Sequence, residues 1–254
     1  MRLDVLGCSG GELGSHRATC FLLDGVLAID AGALTSSLSL GQLSRVDDVL
    51  LTHSHLDHVK DVPLMADLLA GRRRRPVRIH ASAACTRTLR RDVLNGRVWP
   101  DFTRIPHPRR PVLALAPFDR ERPFRIGRYR VQPVPVRHTV ESTGFVVGDG
   151  RTAFAISGDT GPTTRFWREL GRTRNLRAVL VETSFPSSMQ EVAERSGHLT
   201  PRDLAAELDK VDLGGCPVYL YHLKPAHAAE VKRDLAALRL RNVRVLRRGE
   251  RIAV

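Results

Sequence analysis

Aromatic residues are scarce in this chain, only 5% of 254 positions, which argues against a surface that grips single-stranded nucleic acid by stacking its bases. Acidic residues are outnumbered 27 to 40 by basic ones, leaving a net charge of +13. Lysine is nearly missing too: Lys60, Lys210, Lys224 and Lys232 are the only ones, so almost all positive charge is arginine. The four cysteines, Cys8, Cys20, Cys85 and Cys216, form no CxxC pair and lie far apart. That excludes a disulfide framework and fits reduced core thiols in a cytoplasmic protein. No apolar run approaches the roughly 18 residues needed to cross a bilayer, and no basic, then apolar, leader opens the chain, so neither export nor a membrane partner is expected. With 42% hydrophobic and 26% charged residues, the composition is that of an ordinary globular protein rather than a disordered or collagen-like one.

The arginine excess has two readings. Guanidinium forks bind phosphate bidentately; the reading preferred on composition is coding bias, with solvated arginine spread over the surface and no partner. The run Arg72-Arg73-Arg74-Arg75 follows a predicted helix and reads as a solvated turn favourable to the helix C-terminus.

Strands and helices alternate along the chain. Strands are expected at Leu3 to Leu6, Thr19 to Leu23, Val26 to Ile29, Val46 to Thr52 and Val77 to His80, with helices at Val62 to Ala70 and Ser82 to Leu94. A Pro-rich stretch through Pro123 reads as irregular. The second half repeats the grammar, with strands at Tyr129 to Val136, Gly144 to Val147, Ala153 to Ser157, Ala178 to Glu182 and Val218 to Tyr221. Helices are expected at Thr163 to Leu170 and Ala226 to Leu238, with another opening at Thr200, where a Thr N-cap precedes Pro201. Strands at Val243 to Leu246 and Arg251 to Val254 close the chain. No linker divides it, so residues 1–254 read as one α/β domain of two similar layered halves.

The most informative segment is Thr52-His53-Ser54-His55-Leu56-Asp57-His58. Three imidazoles and a carboxylate follow a strand directly, a donor set for zinc or another first-row metal. A His-rich surface loop would have no matching donors elsewhere. Here His138, Asp159 and His222 each follow an apolar strand, at the strand ends where α/β folds place their chemistry. Two neighbouring metal sites are expected. Asp30, in Ile29-Asp-Ala-Gly32, can orient a ligand histidine or simply shape a turn.

This pattern resembles the metallo-β-lactamase superfamily, whose fold is an αββα sandwich with two divalent metals at one edge. The resemblance implies His53, His55 and His138 for one metal, Asp57, His58 and His222 for the other, and Asp159 between them. Zinc is the default, with manganese or iron also suited to this set. The segments Ser157-Gly-Asp-Thr-Gly-Pro162, Glu182-Thr-Ser-Phe-Pro186, Gly197-His-Leu-Thr-Pro201, His222-Leu-Lys-Pro225 and Trp99-Pro-Asp-Phe102 are similar to the class II cyclic-nucleotide phosphodiesterases. That branch implies a small 3′,5′-cyclic nucleotide, cAMP first, hydrolysed to a nucleoside 5′-monophosphate, and a homodimer is common in it. One departure is Asp61, where the family tends to carry a small residue.

His198 is not needed to complete either metal site. In the related tRNA 3′-processing phosphodiesterases a histidine so placed acts with a glutamate like Glu182, which implies His198 as proton donor, Glu182 as the carboxylate raising its pKa, and Asp57 as ligand and catalytic residue. The expected reaction uses a hydroxide generated by two metals, with His198 protonating the leaving 3′ oxygen. His16, His80, His107 and His227 have no partners in the motif set. Phe185, close to the proposed site, is of a type to stack on a purine, but an apolar residue after a strand is more often core.

Two rivals are an RNA-processing endonuclease of the tRNA 3′-processing type and a non-catalytic nucleic-acid-binding protein. The endonucleases commonly insert a long arm between the third histidine and the bridging aspartate, whereas only 20 residues separate His138 from Asp159. The binding protein would not need a full ligand set. Nucleic acid is therefore not the expected partner.

Overall fold

The computed structural model describes residues 1–254. In the first half β1 (Arg2–Gly7), β2 (Cys20–Leu23), β3 (Leu27–Ile29), α1 (Leu34–Ser37), α2 (Leu40–Leu43), β4 (Asp48–Leu50), α3 (Leu56–Val59), α4 (Asp61–Leu69), β5 (Val77–Ser82), α5 (Ala83–Thr88), β6 (Pro106–His107), β7 (Arg110–Pro111) and β8 (Leu113–Phe118) follow one another. The second half runs β9 (Phe124–Ile126), β10 (Tyr129–Val136), β11 (Ser142–Gly148), β12 (Ala153–Ile156), α6 (Arg165–Arg172), β13 (Leu176–Glu182), α7 (Gln190–Ser196), α8 (Pro201–Leu208), β14 (Val218–Tyr221), α9 (Ala228–Leu238), β15 (Val243–Val245) and β16 (Arg251–Ala253).

Short runs such as Cys20-Phe-Leu-Leu23 and Ala153-Phe-Ala-Ile156 are buried along their whole length, the pattern of strands covered on both faces. They build two seven-stranded sheets, ordered β16-β1-β2-β3-β4-β5-β8 and β15-β14-β13-β12-β11-β10-β9. Each sheet starts with antiparallel hairpins and continues with parallel strands, β3 to β4, β5 and β8 in one and β12 to β13, β14 and β15 in the other. The parallel pairs require crossovers, and those crossovers carry most of the helices. Two halves of one grammar are therefore real, with β16 returning to pair with β1.

Three apolar cores separate four layers. The middle one joins the inner faces of the sheets through Phe21, Ile29, Phe145, Phe154, Leu180 and Tyr221. The outer two seat Val62, Met65 and Leu69 of α4 against Val49 and Leu51, and Phe166, Trp167 and Leu170 of α6 against Ala155 and Val179. This is the expected αββα sandwich.

Several expectations need correction. The Pro-rich stretch is not irregular throughout: it holds the β6–β7 hairpin and β8, which completes the parallel run of the first sheet. The predicted helix to Leu94 ends as α5 at Thr88 and continues as a wider π turn over Leu89–Val93. Helix α7 was not legible, because Gln190–Ser196 has a single fully buried residue, Ala193, and so no apolar stripe. Arg72, Arg74 and Arg75 are exposed as expected, but Arg73 turns inward, bonding the Val46 carbonyl at 3.0 Å and Asp47 at 2.5 Å. All four thiols are free, yet only Cys20 and Cys85 are buried, Cys8 and Cys216 being partly exposed. No helix is long and apolar enough to cross a membrane.

Candidate metal centre

Strands β3, β4, β10, β12, β13 and β14 all end at one edge of the sandwich, and each delivers a side chain there. At three of these ends the chain leaves the sheet through a left-handed residue: Asp30 (φ 57°), Gly158 (φ 64°) just before Asp159, and His222 (φ 67°). A histidine held there costs on the order of 1–3 kcal/mol, a strain that clusters at functional sites. Gly10 makes the turn at His222 possible, since a Cβ on it would lie 2.5 Å from the His222 carbonyl oxygen and 2.9 Å from the ring.

All seven expected ligands are brought together. His53, His55 and His138 place donor atoms within 4.8 Å of one another; so do Asp57, His58 and His222, and so do His53, His58 and Asp159. Asp159 Oδ2 lies 3.7 Å from His53 Nε2, 3.3 Å from His58 Nε2 and 3.1 Å from His222 Nε2, between the two groups.

Hydrogen bonds on the far side of the rings set which nitrogen faces inward. His58 Nδ1 donates to Asp30 Oδ2 at 2.7 Å. His53 Nδ1 donates to Thr52 Oγ1 at 2.9 Å, and that hydroxyl donates in turn to Asp30. His138 Nδ1 donates to the Gly197 carbonyl at 2.8 Å, and His222 Nδ1 to Ser184 Oγ at 2.9 Å. The inward nitrogens of His53, His138 and His222 are thus left as acceptors, and His58 Nε2 lies 3.3 Å from Asp159 Oδ2 and 3.2 Å from His222 Nε2. His53 Nε2 and Asp159 Oδ1 are buried without any hydrogen-bond partner, which is costly unless something else fills the role. The donor chemistry and these orphaned atoms fit divalent metal ions.

Electrostatics inside the centre follow burial and crowding. Burial and neighbouring imidazoles drive His53 well below the usual histidine range. His58 goes the other way: burial opposes its charge, but Asp159 and Asp30 hold the proton on. Burial and then Asp159 push Glu182 up to about 8, while burial pulls His198 down. The expected pair is in place, His198 Nδ1 lying 2.8 Å from Glu182 Oε1, and divalent charge beside Glu182 would favour its ionised form.

A model of the β-lactamase superfamily domain matches residues 19–240. The chain belongs to this superfamily. It is 27% identical over 221 residues to a probable 3′,5′-cyclic-nucleotide phosphodiesterase of Yersinia pestis, a match covering 71% of this chain and 58% of that relative; the chain thus matches little more than half of the relative's length. Among solved structures, unliganded yeast PDE1 superposes with a TM-score of 0.81 at 21% identity, covering 98% of each chain. The metallo-β-lactamase fold protein YhfI of Bacillus subtilis gives 0.77 at 16% identity and 99% of each. Human tRNase Z, short form, gives 0.68 at 17%, with 100% of this chain and 99% of that one. These likenesses establish the fold, and the gathered donor set suits the divalent metals of this superfamily.

Two contributors to the superfamily centre escaped the sequence reading. Thr52 relays Asp30 to His53, and Ser184 Oγ joins His222 to Glu182 Oε2 at 2.9 Å. Both hydroxyls lie inside quoted motifs, and position within two residues of a ligand or Glu182 was the available signal. Asp61, the departure from the family pattern, is fully buried and accepts from the Thr35 N–H at 2.7 Å and from Lys60 at 2.8 Å. It braces α4 against α1 behind the ligand loop. Of the remaining histidines, His80 bonds Asp48 at 2.7 Å and His16 lies 3.1 Å from Ser9 Oγ, both away from the cluster. A cavity of about 570 Å³ lies at the opposite strand ends among Arg125, Arg130, Arg151, Arg172 and Arg174 and contains none of the ligand residues.

Proposed function

We propose that this protein is a metal-dependent phosphodiesterase that converts 3′,5′-cyclic nucleotides, cAMP foremost, into nucleoside 5′-monophosphates. The observation that carries the reading is the His198–Glu182 pair beside the seven-ligand cluster. A lactam or thioester hydrolase does not need it, whereas a phosphodiester leaves as a poor alkoxide that must be protonated. The Yersinia pestis relative and yeast PDE1 support the same reading by name.

In this proposal His53, His55 and His138 hold one metal, Asp57, His58 and His222 the other, with Asp159 shared. When bound, two divalent ions supply Lewis-acid charge at the phosphoryl oxygens and acidify water at neutral pH; zinc is the default, with manganese or iron the alternatives. The chain's own residues do the rest. Asp30 fixes His58 directly and His53 through Thr52. Glu182 Oε1 accepts from His198 Nδ1 and so favours the imidazolium, whose Nε2–H is the proton donated. Water oxygen joins phosphorus and gives up one proton to solvent, the P–O3′ bond breaks, O3′ takes the Nε2 proton, and His198 is reprotonated from solvent. Four free thiols favour a reducing, cytoplasmic setting.

The RNA endonuclease ranks behind. The segment between His138 and Asp159 is the tight β11–β12 hairpin, with no projecting arm to hold tRNA. The deciding experiment incubates metal-loaded protein with cAMP, a precursor tRNA and bis(p-nitrophenyl) phosphate. Rapid cAMP turnover is expected; efficient tRNA cleavage with inert cAMP would reverse the assignment.

A further inference from the structure

Of the aromatic side chains, only Phe185 lies outside every apolar core of the molecule. The other seven phenylalanines and every tryptophan and tyrosine pack into one core or another. Phe185 instead follows β13 at the site edge, half-buried, with its ring centre 5.7 Å from that of His198. It is thus not the core residue that its place after a strand suggested.

Phe185 lines a cavity of about 380 Å³ together with Gly10, Gly11, Leu13, Lys224 and His227. The cavity adjoins the metal cluster on two sides. Gly10 backs directly onto the His222 ring, and Lys224 Nζ lies 3.9 Å from Asp57 Oδ2. The loops that bear Phe185 and Lys224 are tied together, the Lys224 N–H donating to the Ser184 carbonyl at 3.1 Å. On the other rim Leu13 is 61% exposed, a large apolar side chain left open beside an uncommitted aromatic.

We infer that this cavity is the nucleobase subsite, with Phe185 stacking on a purine and Leu13 closing over its other face. The inference rests on the cyclic-nucleotide reading and adds its base-recognition element. Its physical logic is an ordered ligand with an anionic end and a flat apolar end. Lys224 and the metal cluster attract the phosphate. The glycine floor, lacking side chains, lets a planar ring lie close to the backbone, and an aromatic face stacks on any base, with more overlap for a purine.

The test compares wild type with Phe185→Ala and Phe185→Tyr on cAMP and on trimethylene phosphate, a six-membered cyclic phosphodiester without a base. Phe185→Ala is expected to raise KM for cAMP about tenfold or more, with kcat changed less than about threefold. The baseless diester is turned over unchanged, and Phe185→Tyr restores the cAMP KM. An unaltered cAMP KM, or equal losses on both substrates, would overturn the inference, the second outcome meaning that Phe185 only supports His198. Calorimetric binding of AMP to the metal-loaded proteins separates the two claims. AMP binding that weakens in Phe185→Ala while wild type is inert on cAMP sinks the function but keeps the subsite. AMP binding indifferent to Phe185 sinks the subsite.

Discussion

Asp30 and His58 meet through a 2.7 Å hydrogen bond in fully buried surroundings. The same carboxylate accepts from the Thr52 hydroxyl, which receives the His53 ring, so one residue that touches no substrate orients a histidine in each of the two ligand groups.

Asp30→Asn is therefore expected to weaken metal retention by about 10- to 100-fold. The measurement is zinc remaining after dialysis against graded chelator, with circular dichroism showing the fold intact. Retention equal to wild type would reduce Asp30 to a turn residue.

His198→Ala is expected to lower kcat on cAMP by about 10²- to 10⁴-fold while metal content stays at the wild-type value. Bis(p-nitrophenyl) phosphate, whose leaving group needs no proton, should lose less than about tenfold. Equal losses on both substrates would mean that His198 supports the centre rather than donating a proton.

Asp61 is buried and bonded to Thr35 and Lys60. Asp61→Ala leaves the Thr35 N–H without its acceptor, at a cost of about 2 kcal/mol, read as a fall in Tm of about 4–8 °C. Metal stoichiometry should not change. A wild-type Tm would show that the family's small residue serves as well here.

Asp48 carries a stabilising pair of contacts at the strand ends opposite the metal centre. Burial alone would raise its carboxyl, but Arg78 at 2.6 Å and His80 at 2.7 Å outweigh that and bring it to about 2. Because the folded value lies below the unfolded one, this contribution is present above about pH 4 and is lost as pH falls through about 2. Discounted for the exposed Arg78 partner, it amounts to about 1 kcal/mol. Urea unfolding of wild type and Asp48→Asn should differ by that amount at pH 7 and converge as pH falls to about 2. A constant difference across this range would assign the effect to packing.

Legibility varied with the physics behind each element. Strands such as Ala153–Ile156 announce themselves because burial on both faces demands an unbroken apolar run. The parallel partner of β5, Leu113–Phe118, was hidden because Pro117 and the neighbouring prolines look like punctuation, and an edge strand tolerates them. Helix α7 was hidden because a surface helix capped by the left-handed Gly197 (φ 67°) needs no apolar stripe to persist. Phe185 illustrates the converse: its residue type predicted core, and only the tertiary structure leaves it outside all three large cores, beside His198.

The spacing in His53-Ser-His-Leu-Asp-His58 and the strand-end positions of His138, Asp159 and His222 sufficed to single out the donor atoms that the fold gathers, since local chain geometry keeps near neighbours together. Pairing across the chain was decided by the fold. His138 Nε2 comes within 3.1 Å of His55 Nδ1 across 83 positions, and His222 Nε2 within 3.2 Å of His58 across 164, because two stacked sheets end at a common edge. The Glu182–His198 pair was decided there too, the fold bringing the two to 2.8 Å across 16 positions in buried surroundings, and burial is the property that a linear list of residues does not contain.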